Sequence, residues 1–427
     1  MHHFDRIDGA LHAEGVPLEA LAEAVGTPAY VYSTATLTRH YGLLREAADA
    51  HPDALGEALI AFAVKANSNL SVLATLARLG CGADTVSEGE IRRALKAGIP
   101  GERIIFSGVG KTDAELAFAI DTGVRQINVE SGAELERLIA IAAARGSAPS
   151  IAIRVNPKIG AGGHAKITTG GATDKFGVPV EEAIDLYARA SASPHLTPVG
   201  LACHIGSQIM SLVPREAAFR TLREMVLTLR ANGHSVTRLD LGGGLGVPYH
   251  GQTDTPSIAD YAAMCARVLE GLAVEAAFEP GRLLAANAGL LLSRVIQINE
   301  RGDGRRFAVL DAGMNDLMRP ALYDAFHDLV PVRPRAGDPL AYDLVGPICE
   351  STDIFARDRM LPPLEAGDLV AFMGAGAYGA VLANEYNSRP LVPEVLVDGD
   401  RWAVVRARPT YDEMLEREPR AGWLGSD

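Results

Sequence analysis

Four short stretches of this 427-residue chain carry side chains whose types could work together chemically. In Ala63-Val-Lys-Ala-Asn67, Lys65 follows an apolar run. Partial desolvation there lowers an amine's pKa and suits it to imine formation. In His204-Ile-Gly-Ser-Gln208, His204 offers a flat imidazole between Cys203 and Ile205. In Gly242-Gly243-Gly244, successive glycines let backbone N–H groups approach a phosphate closely, and Gly281 supplies a second half to such a cradle. In Glu279-Pro-Gly-Arg282, a carboxylate ends an apolar stretch and needs a partner, either Arg282 or a ligand cation. Taken singly, each has a plain structural explanation. A strand-end lysine is ordinarily solvated, a histidine among apolar neighbours is ordinarily core, and glycine runs make turns.

The elements around them decide between these readings. Short apolar runs at 58–64, 82–86, 103–106, 126–129, 151–155, 200–204, 238–241 and 275–278 read as eight strands, each followed by a helix-like segment. Ser87 with Glu90, Thr112 with Glu115 and Ser131 with Glu134 have capping-box spacing at three of the helix starts. Strand–helix alternation implies parallel strands, and eight units predict a (β/α)8 barrel; an open doubly wound sheet is the competing arrangement. After residue 279 the rhythm changes. Runs at 290–299, 306–310, 342–348, 368–373 and 393–397 read as strands without long helices between them, and Asp398-Gly399 signals a hairpin. The stretch 29–32 is strand-like and could join that group. The expectation is an α/β chain: a barrel over 36–284, and a mostly-β domain formed by 1–35 and 285–427.

In such a barrel the residues just past each strand share one face, and that face carries the chemistry. Lys65, Arg154, Asn156, His204, the 242–244 glycines and Glu279 all fall there. An imine-forming amine, a phosphate cradle, a carboxylate and a flat imidazole are used together by one ligand, pyridoxal 5′-phosphate. Lys65 is expected to hold its aldehyde, the glycines its phosphate and His204 its ring face. Glu279 is expected to pair with the pyridinium nitrogen, which keeps the ring ready to accept electrons.

Composition narrows the rest. Hydrophobic residues make up 48% and charged residues 22%, an ordinary globular balance. A net charge of −13 argues against nucleic acid or an anionic membrane as partner. No apolar run has spanning length and no targeting segment stands at the start, so a cytoplasmic protein is expected. The four cysteines (Cys81, Cys203, Cys265, Cys349) lack metal-ligand or disulfide-scaffold spacing, and no metal is expected.

The quoted motifs, together with Asp311-Ala-Gly-Met-Asn-Asp-Leu-Met-Arg-Pro-Ala-Leu-Tyr323, Gly346-Pro-Ile-Cys-Glu-Ser-Thr-Asp353, Gly376-Ala-Tyr-Gly379 and Tyr386-Asn-Ser-Arg-Pro390, run in order along the chain. They resemble the pyridoxal-phosphate decarboxylases of the alanine racemase-like fold, and among these the diaminopimelate decarboxylases. The resemblance implies decarboxylation of meso-2,6-diaminopimelate to L-lysine and CO2. By that likeness Lys65 matches the Schiff-base lysine and His204 the ring-stacking histidine. Ser207, Gly243, Gly244, Glu279, Pro280, Gly281, Arg282 and Tyr378 match cofactor contacts. Arg282, Arg319, Tyr323 and Tyr378 match substrate contacts, Glu350 the reader of the distal amine, and Cys349 the proton donor. In the family Cys349 and Glu350 would enter from a partner subunit, so a homodimer with a shared site is implied.

The segment 158–177, rich in glycine and too long for an ordinary connection, is expected to be an active-site lid. Neighbouring readings are an ornithine, arginine or carboxynorspermidine decarboxylase, a racemase, a non-catalytic pyridoxal-phosphate carrier, and a cofactor-free Schiff-base aldolase. Glu350 and the 314–323 stretch favour diaminopimelate. Glu279 argues against the racemase, where an arginine faces the ring nitrogen, and Cys349 against the carrier.

Overall fold

A computed structural model describes residues 2–160, 175–249 and 255–424, and residues 161–174 of the expected lid lie outside them. The chain divides into two compact units, Thr36–Ala286 and Met1–Ala35 with Asn287–Asp427.

The first unit is a closed barrel of eight strands: Leu59–Ala63, Gly82–Thr85, Ile104–Phe106, Gln126–Val129, Ser150–Arg154, Thr197–Ala202, Arg238–Asp240 and Glu275–Phe278. All neighbours are parallel, and the eighth closes on the first through Ala277↔Leu59 and Phe278↔Ile60. Small residues let the walls approach. A Cβ on Gly82 would lie 2.3 Å from the Arg103 carbonyl and one on Gly200 2.2 Å from that of Arg238. Helices Leu70–Arg78, Glu88–Lys96, Asp113–Thr122, Gly132–Arg145, Val180–Ala192, Val213–Ala231 and Ile258–Leu269 follow the first seven strands.

The three capping signals resolve differently. Thr112 and Glu115 form the full reciprocal box. Ser87 and Ser131 accept from the amides of Glu90 and Glu134, but those glutamates reach one residue further back, to the amides of Val86 and Glu130. Each serine still satisfies one of the orphan donors that open a helix.

In the second unit the strands run in the order Ile354–Leu361, Leu340–Val345, Arg306–Leu310, Gly289–Glu300, Ala29–Ser33, Glu394–Asp398, Arg401–Arg406. The long strand Gly289–Glu300 also pairs Leu369–Phe372, which in turn pairs Leu329–Pro331. The N-terminal strand Ala29–Ser33 is buried throughout and lies between Gly289–Glu300 and Glu394–Asp398. An edge strand and a small sheet are among the elements that had no counterpart in the sequence reading. The edge strand Ile354–Leu361 carries Arg357, Asp358 and Arg359 and is largely solvated, so it lacks an apolar run. The small sheet Arg6–Ile7, Ala10–Ala13, Val16–Pro17 has strands too short to show a period. Among the described residues no helix is long and apolar enough to cross a membrane.

Candidate active site

The first barrel strand ends in a single 3-10 turn, Val64–Ala66, which presents Lys65. The Ala63 amide donates to the Pro280 carbonyl at 3.1 Å, so the end of the eighth strand fixes the base of that turn. Lys65 Nζ donates to Asp84 Oδ2 at 2.5 Å. Asp84 lies in the second strand with no exposed surface, and its Oδ1 has no hydrogen-bond partner among the described residues.

His204 stands two residues beyond the sixth strand. The Gly243 amide donates to its Nδ1 at 3.1 Å, which puts the ring proton on Nε2. Burial, reinforced by the nearby Lys65, Arg154 and Arg215 charges, pushes the imidazole well below its usual range. It is therefore a neutral, oriented ring. Because the Gly243 amide is spent on His204, this glycine serves the site by aiming the imidazole.

The seventh and eighth strands bring two carboxyls together. Asp240 accepts from the Gly242 amide and from Asn128 Nδ2, each at 3.0 Å. Burial, followed by the Asp240 and Asp84 charges, pushes Glu279 well above the usual carboxylate range against the opposing pull of Lys65. Burial raises Asp240 as well, and a hydrogen bond from Glu279 offsets part of that. Burial of the two carboxyls favours one proton held between Glu279 and Asp240. Glu279 Oε1 is buried without a hydrogen-bond partner among the described residues.

The glycine turn lies against its neighbours too closely for any side chain. A Cβ on Gly243 would sit 1.9 Å from the Glu279 carbonyl oxygen. On Gly244, where φ is +91°, it would sit 1.8 Å from that of Gly206. Beside this turn Arg282 Nη2 donates to Ser207 Oγ at 3.2 Å, and its Nη1 donates to the Tyr249 hydroxyl at 2.7 Å. Gly281 caps the short helix Arg282–Ala285 that follows.

Lys65, His204, Asp240 and Glu279 border a cavity of about 410 Å³, whose lining also includes Ser107, Asn128 and Arg154. The set fits pyridoxal 5′-phosphate at four points: an amine, a flat neutral imidazole, a Cβ-free backbone cradle, and a buried carboxyl with one unsatisfied oxygen.

Sequence reasoning passed over the acids that hold this set. Glu130, just past the fourth strand, accepts from the Gly108 amide and Arg154 Nη1 (both 2.7 Å) and from the Gly177 amide (3.2 Å). Lys111 Nζ, fully buried, donates to Glu134 Oε1 at 2.6 Å and to the carbonyls of Gly108 and Asn128. The available signal was position: Asp84, Glu130 and Asp240 are acids at the ends of apolar barrel strands.

The remaining expected residues belong to the second unit. Buried Arg319 opens the short helix Arg319–Tyr323, and its Nη1 lies 2.7 Å from His327 Nε2. Tyr323 ends that helix, half-buried. Cys349 and Glu350 are exposed on the loop after Leu340–Val345. Buried Asp353 organises that loop by accepting from the amides of Ile348 and Met314, each at 2.6 Å, while the Cys349 amide donates to Asn387 Oδ1 at 2.9 Å. Tyr378 is half-buried and holds φ at +56°, a left-handed conformation uncommon outside glycine.

Comparison with known proteins adds to this geometry. A family model described as pyridoxal-dependent decarboxylase, pyridoxal binding domain, matches residues 41–286. A diaminopimelate decarboxylase of Zymomonas mobilis subsp. mobilis is 47% identical over 99% of each chain. The crystal structure of diaminopimelate decarboxylase from Helicobacter pylori complexed with L-lysine has a TM-score of 0.89 at 40% identity, over 94% of this chain and 99% of that one. The one from M. jannaschii in co-complex with L-lysine has a TM-score of 0.94 at 34% identity, over 99% and 100%.

Proposed function

This chain belongs to the diaminopimelate decarboxylase family of pyridoxal-dependent decarboxylases, and from that premise we propose that it converts meso-2,6-diaminopimelate to L-lysine and CO2. The observation that carries the reading is the convergence of Lys65, His204 and the Glu279–Asp240 pair on one cavity. Bound pyridoxal 5′-phosphate supplies a ring that takes up the electron pair left behind when a carboxylate departs.

The chain's own residues do the rest. Lys65, whose amine donates to Asp84, would hold the cofactor aldehyde. His204 would lie against the ring face, and Glu279 would pair with the ring nitrogen. Ser207, Gly244, Pro280, Gly281 and Arg282 line the phosphate end with Tyr378, while Gly243 aims His204. Arg319, Tyr323, Tyr378 and Arg282 grip the distal carboxylate, where the arginine fork gives bidentate contact. Glu350 reads the distal ammonium. Cys349 Sγ returns a proton to the carbon that lost its carboxylate. Cys349 and Glu350 come from the partner subunit of a homodimer, and the enzyme works in the cytoplasm.

The test is CO2 release by the purified holoenzyme from a panel of meso- and L,L-diaminopimelate, ornithine, arginine and lysine. Fastest turnover of meso-diaminopimelate is expected. Faster turnover of ornithine or arginine would overturn the substrate assignment.

A further inference from the structure

Arg215, in the first turn of helix Val213–Ala231, is 1% exposed and is among the largest fully buried side chains of the protein. A guanidinium keeps its charge at any working pH, and burying it without an anion is costly. Yet among the described residues no carboxylate lies within ion-pair distance of Arg215. Nη2 donates to the Gly243 carbonyl at 2.8 Å, the guanidinium lies 5.3 Å from the Tyr261 ring centroid, and Nε is buried without an acceptor. A Cβ on Gly244 would stand 3.0 Å from Nη2, so the glycine turn leaves room for the cation to reach it from behind.

A buried positive charge therefore backs the glycine turn assigned to the cofactor phosphate. We propose that Arg215 is a positioning residue for the cofactor phosphate. It pins the Gly243 carbonyl and places its charge behind the Gly243–Gly244 backbone, and the phosphate dianion is its missing counter-charge. The inference rests on the cradle assignment made above, and it adds a residue that touches neither cofactor nor substrate. It also gives the apo-protein a distinct property: among the described residues this cation meets no carboxylate until an anion arrives.

The test separates phosphate from ring. Apoenzymes of the wild type, Arg215→Met and Arg215→Gln are titrated with pyridoxal 5′-phosphate and with pyridoxal, which lacks the phosphate, following the visible absorbance of the bound aldehyde. Loss of the charge should weaken pyridoxal 5′-phosphate by about tenfold or more and leave pyridoxal unchanged. Arg215→Gln keeps a donor for the Gly243 carbonyl and carries the same expectation should the Met variant fail to fold. Variants that weaken both ligands equally, or neither, would overturn the role of Arg215 while leaving the cradle intact. A wild type that binds both ligands equally would remove the cradle itself, and this inference with it.

Discussion

Replacing Glu130 with glutamine tests whether the barrel site is held by one buried carboxylate. The substitution keeps size and shape, but it removes a charge and exchanges one acceptor for a donor. Oε1 now receives the Gly108 amide and Arg154 Nη1, and Oε2 receives the Gly177 amide. With the amide oxygen kept at the first position, both bonds lose the acceptor's charge, at a cost of about 1 kcal/mol each. The NH2 group then faces the Gly177 N–H, and the unmade bond costs about 1–3 kcal/mol more. The sum is about 3–5 kcal/mol, the range expected when a buried ion pair loses one member. Guanidinium unfolding of Glu130→Gln, Arg154→Met and the double variant measures both the loss and the coupling. A coupling energy of at least about 2 kcal/mol is expected, against under about 1 kcal/mol for the solvated Arg137–Asp113 pair treated the same way. A Glu130→Gln loss below about 1 kcal/mol, or effects that simply add, would refute the argument that this carboxylate organises the strand ends.

Lys65→Ala should abolish the visible absorbance of the bound cofactor and lower CO2 release by orders of magnitude. Mixing Lys65→Ala chains with Cys349→Ala chains should restore activity through sites built from one intact half of each, and a mixture as inactive as its parents would contradict the shared site. Glu90, half-buried, is pushed up by burial from 4.5 to about 7, so the fold binds its proton more tightly than the unfolded chain does. That contribution is fully present below pH 4.5 and is lost as pH rises through about 7. It amounts to at most about 3.5 kcal/mol at about 1.4 kcal/mol per pH unit. Glu90→Gln should flatten the fall in melting temperature across this window; identical slopes in the two proteins would count against it.

The barrel was legible because its strands are buried on both faces and read as continuous apolar runs, while serine and threonine caps mark where helices begin. Lys65, His204 and Glu279 were legible as polar groups at the ends of those runs. Their partners were not. Asp84 lies 19 residues from Lys65 and Arg154 24 from Glu130, so those pairings exist only once neighbouring strands have paired, and Asp240, 112 residues from Asn128, meets it only once the barrel has closed. Arg215 was hidden for a different reason. At the start of an amphipathic helix, an arginine reads as solvated surface. The reciprocal caps at Ser87 and Ser131 failed by one residue, because Glu90 and Glu134 pack inward and take the preceding amide.

The strand Ala29–Ser33 has a consequence for how the chain is made. Its partners Gly289–Glu300 and Glu394–Asp398 leave the ribosome long after it, and the Tyr32 hydroxyl meets Glu394 across 362 residues. At about 5–20 residues per second, this early apolar segment waits roughly 20–70 s for a sheet to join. The barrel is synthesised in full during that interval and can fold before the other unit has its strands. A nascent chain halted just before Glu394 should therefore hold a finished barrel and a tethered N-terminal strand that lacks its parallel neighbour.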